Sequence, residues 1–281
     1  MIDQSVLDVQ ELQIAVASER GVVQAVQDLS FNIGKGQVLG IVGESGCGKS
    51  MTCMSILGLL PDSAYVTRGR IRLKGQELTD LSPRERNHVR REKISLVLQN
   101  PMTAFNPLLT IGRQFIETLK LHGSYSRKQA LERSMACLAE MNLPEPERVL
   151  RQYPYELSGG MLQRSMIGLA LSNKPALLIA DEPTTALDSG NRDHVLNAFR
   201  RIKADGETAV LLVSHDIGVI EAVADSVIVM KQGKIVENGS TADVLKNPAH
   251  EYTKLLLDAR LMAGSSHEDR GRERVEAVQL R

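Results

Sequence analysis

Five short apolar runs punctuate the chain, at residues 38–42, 94–98, 177–180, 210–213 and 227–230. Each is of strand length and several lack polar alternation, the pattern of strands covered on both faces. Helical patterns separate them, which predicts an α/β sheet that is mostly parallel at its centre. Residues 5–16 and 22–33 alternate apolar and polar positions instead. With residues 69–73 they predict a small antiparallel sheet beside the core.

Polar positions mark where helices begin. Ser82, Pro83 and Glu85 supply an N-cap, a first-turn proline and a capping-box carboxylate. Ser126 and Gln129 repeat the device, with Leu131, Met135 and Leu138 placed on one face of the helix that follows. Residues 50–60 suit a helix stopped by Pro61. Residues 100–155 are helical in pattern and hold no convincing strand, so a helical subdomain inserted into the sheet domain is expected. Residues 264–281 mix glycine, serine and both signs of charge, the composition of a mobile tail.

Composition removes several function classes. The 281 residues carry 34 Lys+Arg against 34 Asp+Glu and are 42% hydrophobic, enough for a real core. Zero formal net charge lacks the cationic excess that sequence-independent nucleic-acid binding needs, so no nucleic-acid partner is expected. Without Trp, and with few Phe and Tyr, stacking platforms for single strands are excluded too. Cys47, Cys53 and Cys137 form no CxxC pair, which suits a reducing compartment and leaves no ligand set for zinc or iron–sulfur. The first residues do not read as a secretory signal, and no apolar run approaches the ~20 residues that span a bilayer. Work at a membrane would need another chain as anchor.

The chemistry is concentrated in three segments. Gly43-Glu44-Ser45-Gly46-Cys47-Gly48-Lys49-Ser50 satisfies GxxxxGK[ST], follows the run ending at Val42 and opens a helix. Glycines let the backbone curl until successive N–H groups face phosphate oxygens, and the helix N-terminus adds positive potential. Lys49 suits the β- and γ-phosphates and Ser50 suits Mg²⁺. Asp181, at the end of an apolar run, suits the same cation, and Glu182 suits a general base acting on water. Alone, an Asp-Glu pair after a strand is more often an ordinary turn; after a P-loop it becomes candidate chemistry. Ser158-Gly159-Gly160 before a helix is a second anion-receptive N-terminus, which in isolation reads as a flexible N-cap. Two such loops for one nucleotide make sense if each subunit completes the site of a facing one.

In this order, the P-loop, Leu157-Ser158-Gly159-Gly160 and Asp181-Glu182 resemble the ATPase subunits of ABC transporters, a likeness covering residues 5–257. The resemblance implies a P-loop NTPase fold of the ABC type: a nucleotide-binding core at residues 1–99 and 156–240 that includes the antiparallel β subdomain, a helical subdomain at 100–155 ending in the signature loop, a C-terminal extension at 241–263 and the tail. It implies ATP held by Gly43 through Met51, meaning Gly43, Glu44, Ser45, Gly46, Cys47, Gly48, Lys49, Ser50 and Met51. Mg²⁺ falls to Ser50, Gln99 and Asp181, and catalysis to Glu182, His215 and Gln99. Ser158, Gly159 and Gly160 would complete the partner's site, and Asp188, after Ala186 and Leu187, matches the D-loop.

Finer features resemble the peptide/nickel importer branch: Gln99 through Pro107, Tyr153 through Arg164, and Asn247-Pro248-Ala249-His250-Glu251-Tyr252-Thr253. Ala104-Phe105-Asn106-Pro107 and Met161-Leu162-Gln163-Arg164 look closest to the D-type nickel-importer subunit or its metallophore-importing relatives. The implied function is ATP hydrolysis coupled to uptake of nickel or a metal–metallophore complex, with dipeptide or oligopeptide import as the alternative. Implied partners are a second, non-identical ABC ATPase, two transmembrane permeases and an extracytoplasmic solute-binding protein; the implied place of this chain is the cytoplasmic face of the bacterial inner membrane, held there by the permeases. The segment around Phe105 and Leu108 is the expected docking place for a permease helix.

Departures from the family pattern are informative. Many relatives stack adenine on an aromatic residue upstream of the P-loop; that place falls near Val16, and no aromatic precedes Ser30, so apolar contact is expected to serve. No cysteine follows Cys137, so no iron–sulfur cluster is expected. His88, His122, His194, His250 and His267 have no partners at metal-ligand spacing, so magnesium and not nickel is the expected metal of this subunit. Glu251 stands where relatives often have proline. A soluble ABC-type ATPase of DNA maintenance would carry a long coiled coil between Lys49 and Ser158, and no extended heptad tract is present.

Overall fold

Which faces a strand can bury decides how the two sheets are built. The structure, a computed structural model, describes residues 5–19, 21–123, 125–185 and 187–259. The expected mobile tail at 264–281 lies outside them, as do Ala186, His267 and residues 260–263 of the expected extension. In chain order the strands are β1 (Ser5–Ser18), β2 (Gly21–Gly34), β3 (Val38–Val42), β4 (Ala64–Leu73), β5 (Gln76–Glu77), β6 (Ile94–Val97), β7 (Leu177–Asp181), β8 (Ala209–Val213), β9 (Ser226–Lys231) and β10 (Lys234–Ser240). The first sheet is antiparallel, in the order β2-β1-β4-β5; the second runs β10-β9-β3-β8-β7-β6 and is parallel except for the β9–β10 pair. All five apolar runs lie in the second sheet, and the alternating segments form the first.

Two-sided burial explains the runs. Leu178 and Ala180 of β7, with Val210 and Leu212 of β8, face a core shared with the helices. Their neighbours Leu177, Ile179, Leu211 and Val213 face a second core shared with the antiparallel sheet. Successive side chains point to opposite faces, so a strand covered on both sides has no polar position to offer.

The helices are α1 (Lys49–Leu57), α2 (Pro83–Lys93), α3 (Ile111–His122), α4 (Arg127–Glu140), α5 (Pro146–Arg151), α6 (Gly159–Leu171), α7 (Ser189–Asp205), α8 (Ile217–Val223) and α9 (Thr241–Lys246), followed by helical residues 251–259. Capping boxes open α2 at Ser82 and α4 at Ser126, as their sequences predict. Helix α1 is shorter than expected. It ends at Gly58, whose left-handed backbone returns its N–H to Ser55 O while Leu59 N–H reaches Met54 O, so the chain has turned before Pro61. Of the face predicted for helix α4, Leu138 is buried and Met135 packs against the core, but Leu131 is 40% exposed and Ala130, Ser134 and Cys137 complete the buried face. Ser134 fits that apolar face because its hydroxyl donates to Ala130 O at 2.6 Å. Between β6 and β7 the described residues contain helices and turns only, so the strand exits carrying the site and the helix at Ser158 are joined through a helical layer. No helix among the described residues is long and apolar enough to cross a membrane.

Candidate active site

The loop from Gly43 to Gly48 joins β3 to α1. At Gly43 the backbone has φ 155, and a Cβ there would lie 2.2 Å from Met230 O, so glycine alone fits. Helix α1 starts without a side-chain cap and without an acidic residue in its first turn. Its leading amides therefore remain for an outside anion, with the positive end of the helix behind them. Lys49 is buried, and its ammonium donates to the carbonyls of Gly43 at 2.7 Å and Glu44 at 2.9 Å. The charge is thus held against the loop by neutral acceptors.

The C-terminal ends of parallel strands deliver the other groups, the usual edge for ligands in such sheets. Gln99 follows β6, Asp181 ends β7 and His215 follows β8. With Ser45, Gly46, Gly48, Lys49, Ser50, Met51, Glu182 and Ala25 they line one cavity of about 360 Å³. Burial raises the pKa of Asp181, reinforced by the Glu182 charge and opposed by a hydrogen bond from Ser50 and by the Lys49 charge. Its Oδ1 is buried with no hydrogen-bond partner. A desolvated carboxylate oxygen beside a serine hydroxyl fits a hard divalent cation such as Mg²⁺, which Ser50, Asp181 and Gln99 would hold. When bound, that cation neutralises developing charge on phosphate oxygens.

Glu182 has a left-handed backbone, φ 52, an uncommon conformation for a non-glycine residue. Its N–H donates to Val213 O at 2.9 Å, which ties the turn after β7 to the end of β8. Its carboxylate accepts the Thr185 hydroxyl at 2.7 Å and pairs with His215 Nδ1. The carboxylate is mostly buried while the imidazole is largely exposed. With Nδ1 engaged, any phosphate contact falls to Nε2 of His215.

Ser158, Gly159, Gly160 and Asp188 do not line this cavity. Ser158 caps α6, accepting the Met161 N–H at 3.3 Å, and both Ser158 and Gly159 are exposed. Gly160 is buried against α7, where an added Cβ would lie 2.1 Å from Asn191 Cγ. Asn191 is in turn held by Asp188, whose carboxylate accepts its backbone and side-chain amides, each at 2.8 Å. Those bonds hold the Asp188 pKa below the usual carboxylate range. The segments expected to be the signature and the D-loop therefore meet at Gly160, Asn191 and Asp188, away from the residues lining the P-loop cavity.

Sequence reasoning passed over Gln163 and Arg164 as site residues. Gln163 is fully buried, and its amide donates to Pro183 O at 2.8 Å and Leu98 O at 3.5 Å, linking α6 to the exits that carry Glu182 and Gln99. Arg164 donates to Asn142 O at 2.8 Å and Gly160 O at 3.3 Å, joining the end of α4 to the start of α6. The available signal is a polar pair interrupting an otherwise apolar helical run. In the segment expected to dock a permease helix, Phe105 is buried in the helical core and Leu108 is 81% exposed. His88 pairs with Glu92 at 3.4 Å, and no group of three or more His, Cys, Asp or Glu with metal-holding geometry occurs among the described residues.

The ABC transporter family matches residues 26–185. The dipeptide transport ATP-binding protein DppD of Bacillus subtilis is 46% identical over 255 residues, covering 90% of this chain and 76% of its own. The metal-staphylopine import system ATP-binding protein CntD of Staphylococcus aureus is 46% identical over 235 residues, covering 84% and 86%. The oligopeptide transport ATP-binding protein OppD of Salmonella typhimurium is 42% identical over 253 residues, covering 90% and 75%. Among solved structures, the dimeric post-hydrolysis ATP-binding cassette MJ0796 bound to ADP and Pi matches with a TM-score of 0.75 at 29% identity, over 84% of this chain and 98% of that one.

Proposed function

The chain belongs to the ABC transporter family, as an ATP-binding, ATP-hydrolysing importer subunit of the peptide/nickel branch, and from that premise we propose how its residues act and what it helps to import. Lys49 and the amides from Ser45 to Met51 bind and orient the triphosphate, the hydroxyl of Ser50 and the carboxylate of Asp181 face the cation, and Gln99 closes that side. Glu182, aimed by Thr185 and His215, accepts a proton from the attacking water. Ser158, Gly159 and Gly160 serve the nucleotide of a facing ATPase, which explains why they are exposed or turned outward from this cavity. Preorganised charge at an interface that excludes water then supplies most of the acceleration. The observation that carries this reading is the convergence of P-loop, Asp181, Glu182 and His215 on one cavity at the strand ends.

The cargo is a dipeptide or oligopeptide, the reading favoured by the named transporters DppD and OppD. A metal–metallophore complex is the second reading, on the equally identical CntD. Both are better supported than the nickel assignment suggested by Ala104 through Pro107. We assign residues 1–99 and 156–240 to the nucleotide-binding core, 100–155 to the helical subdomain and 241–263 to a C-terminal extension. A second ATPase, two transmembrane permeases that hold this chain at the cytoplasmic face of the inner membrane, and a solute-binding protein complete the assembly. Deletion of the gene should abolish growth on dipeptides as sole source of a required amino acid, with rescue by the wild type and not by Glu182→Gln. Normal dipeptide use with lost metallophore-dependent metal uptake would select the second reading; loss of neither would reject both.

A further inference from the structure

The segment Asn247-Pro248-Ala249-His250-Glu251-Tyr252-Thr253 has no part in the mechanism above, yet it reaches the P-loop. Tyr252 is 4% exposed, and its hydroxyl accepts the Glu44 N–H at 3.0 Å across 208 positions of sequence. That N–H and the Gly43 carbonyl belong to one peptide unit, and the Gly43 carbonyl is the acceptor 2.7 Å from the Lys49 ammonium. The same peptide lies over β9, where Gly43 leaves no room for a Cβ beside Met230 O. The Lys231 ammonium sits 4.7 Å from the centre of the Tyr252 ring, so the ring is fixed from the side of β9 as well.

The segment is built to present this ring. Glu237 on β10 accepts the amides of Ala249 at 2.8 Å and His250 at 3.1 Å. His250 Nδ1 accepts the Tyr252 N–H at 3.0 Å, and the His250 carbonyl accepts the amides of Thr253 and Lys254, which starts the helical segment 251–259. Burial raises the pKa of the phenol despite the opposing Glu44 amide, so it stays neutral and can keep this role through physiological pH.

We infer that Tyr252 is a positioning residue of the nucleotide site, through which the C-terminal segment fixes the Gly43–Glu44 peptide that holds Lys49. This rests on the reading of the P-loop as the ATP site. Rotation of that peptide would move the lysine's acceptor and reshape the cradle, so the hydroxyl acts on affinity without touching nucleotide. It also couples the C-terminal segment to nucleotide occupancy, because any partner that pulls residues 247–259 away loosens the cradle.

The test compares full-length wild type with Tyr252→Phe, which keeps the ring over β9 and removes only the acceptor. Competition of Mg·ATP against a fluorescent ATP analogue should show Kd raised roughly three- to ten-fold, the scale of one lost hydrogen bond. Hydrogen exchange of the peptide spanning residues 43–49 should quicken, with the exchange of residues 234–246 unchanged. Wild-type Kd with wild-type P-loop exchange would overturn the inference. So would faster exchange confined to residues 247–259 with Kd unchanged, since the tyrosine would then only anchor its own segment. A wild-type chain that bound no ATP would instead reject the P-loop reading on which the inference stands.

Discussion

At the scale of single residues, Asp181 shows how a site can oppose its own fold. Burial disfavours its charge and leaves Oδ1 without a partner, as a carboxylate kept for a cation would be. A folded-state pKa raised above the unfolded value means that Asp181 weakens the nucleotide-free fold as pH rises through the folded pKa, and has no such effect below the unfolded value of 3.8. Asp181→Asn should therefore raise Tm at neutral pH, a gain that vanishes as pH falls below that value, while Mg²⁺-dependent ATP turnover is lost. A Tm at or below wild type at neutral pH would contradict this. Glu182→Gln should lower turnover at least ~100-fold and leave ATP affinity within about two-fold, as expected for a base used only in the chemical step; unchanged turnover in the assembled transporter would remove Glu182 from that role. Lys49→Ala should weaken ATP binding, measured by the same competition titration, and wild-type affinity there would undercut the cradle. These residues are legible because their chemistry is local: a glycine loop after a strand, and a carboxylate pair at a strand end. Gln163 and Tyr252 were not, because their partners lie 20 and 208 positions away and no short spacing announces them.

At the scale of elements, the contact between α6 and α7 makes the sharpest claim. Gly160 admits Asn191 where a Cβ would overlap it, and Asn191 cannot swing aside while Asp188 holds both its amides. Gly160→Ala should cost about 1–3 kcal/mol in denaturant unfolding. Asn191→Ala should relieve most of that cost, so the two changes together destabilise by less than their sum. Additive losses would show that the two residues do not meet. The strands and the capping boxes were readable because hydrophobic period and first-turn chemistry are written in adjacent positions. The buried face of α4 was readable only in part, at Met135 and Leu138. Ser134 counts as polar in any pattern, yet its hydroxyl is satisfied by Ala130 O within its own helix, which frees that face for the core and turns Leu131 outward. Likewise Gly58 ended α1 before the proline that the pattern named.

At the scale of the whole molecule, one chain holds the P-loop cavity and, apart from it, the exposed Ser158-Gly159 start of α6 that we propose serves a facing ATPase. The P-loop, Asp181, Glu182 and His215 share a cavity, while Ser158 and Gly159 stand exposed at the start of α6. Gln163 links these halves by bonding α6 to the exits after β6 and β7, so a load on the signature helix is felt where Gln99 and Glu182 sit. In the proposed arrangement, ATP contacts shared by two ATPases exist only in the closed pair, which would make closure depend on nucleotide. The importer assembled with Glu182→Gln and loaded with Mg·ATP holds that closed state for structure determination. Ser158 Oγ of this chain should then lie within about 3.5 Å of the γ-phosphate bound by the partner ATPase. A loaded complex in which Ser158 still faces solvent, with each nucleotide contacted by one ATPase alone, would contradict it.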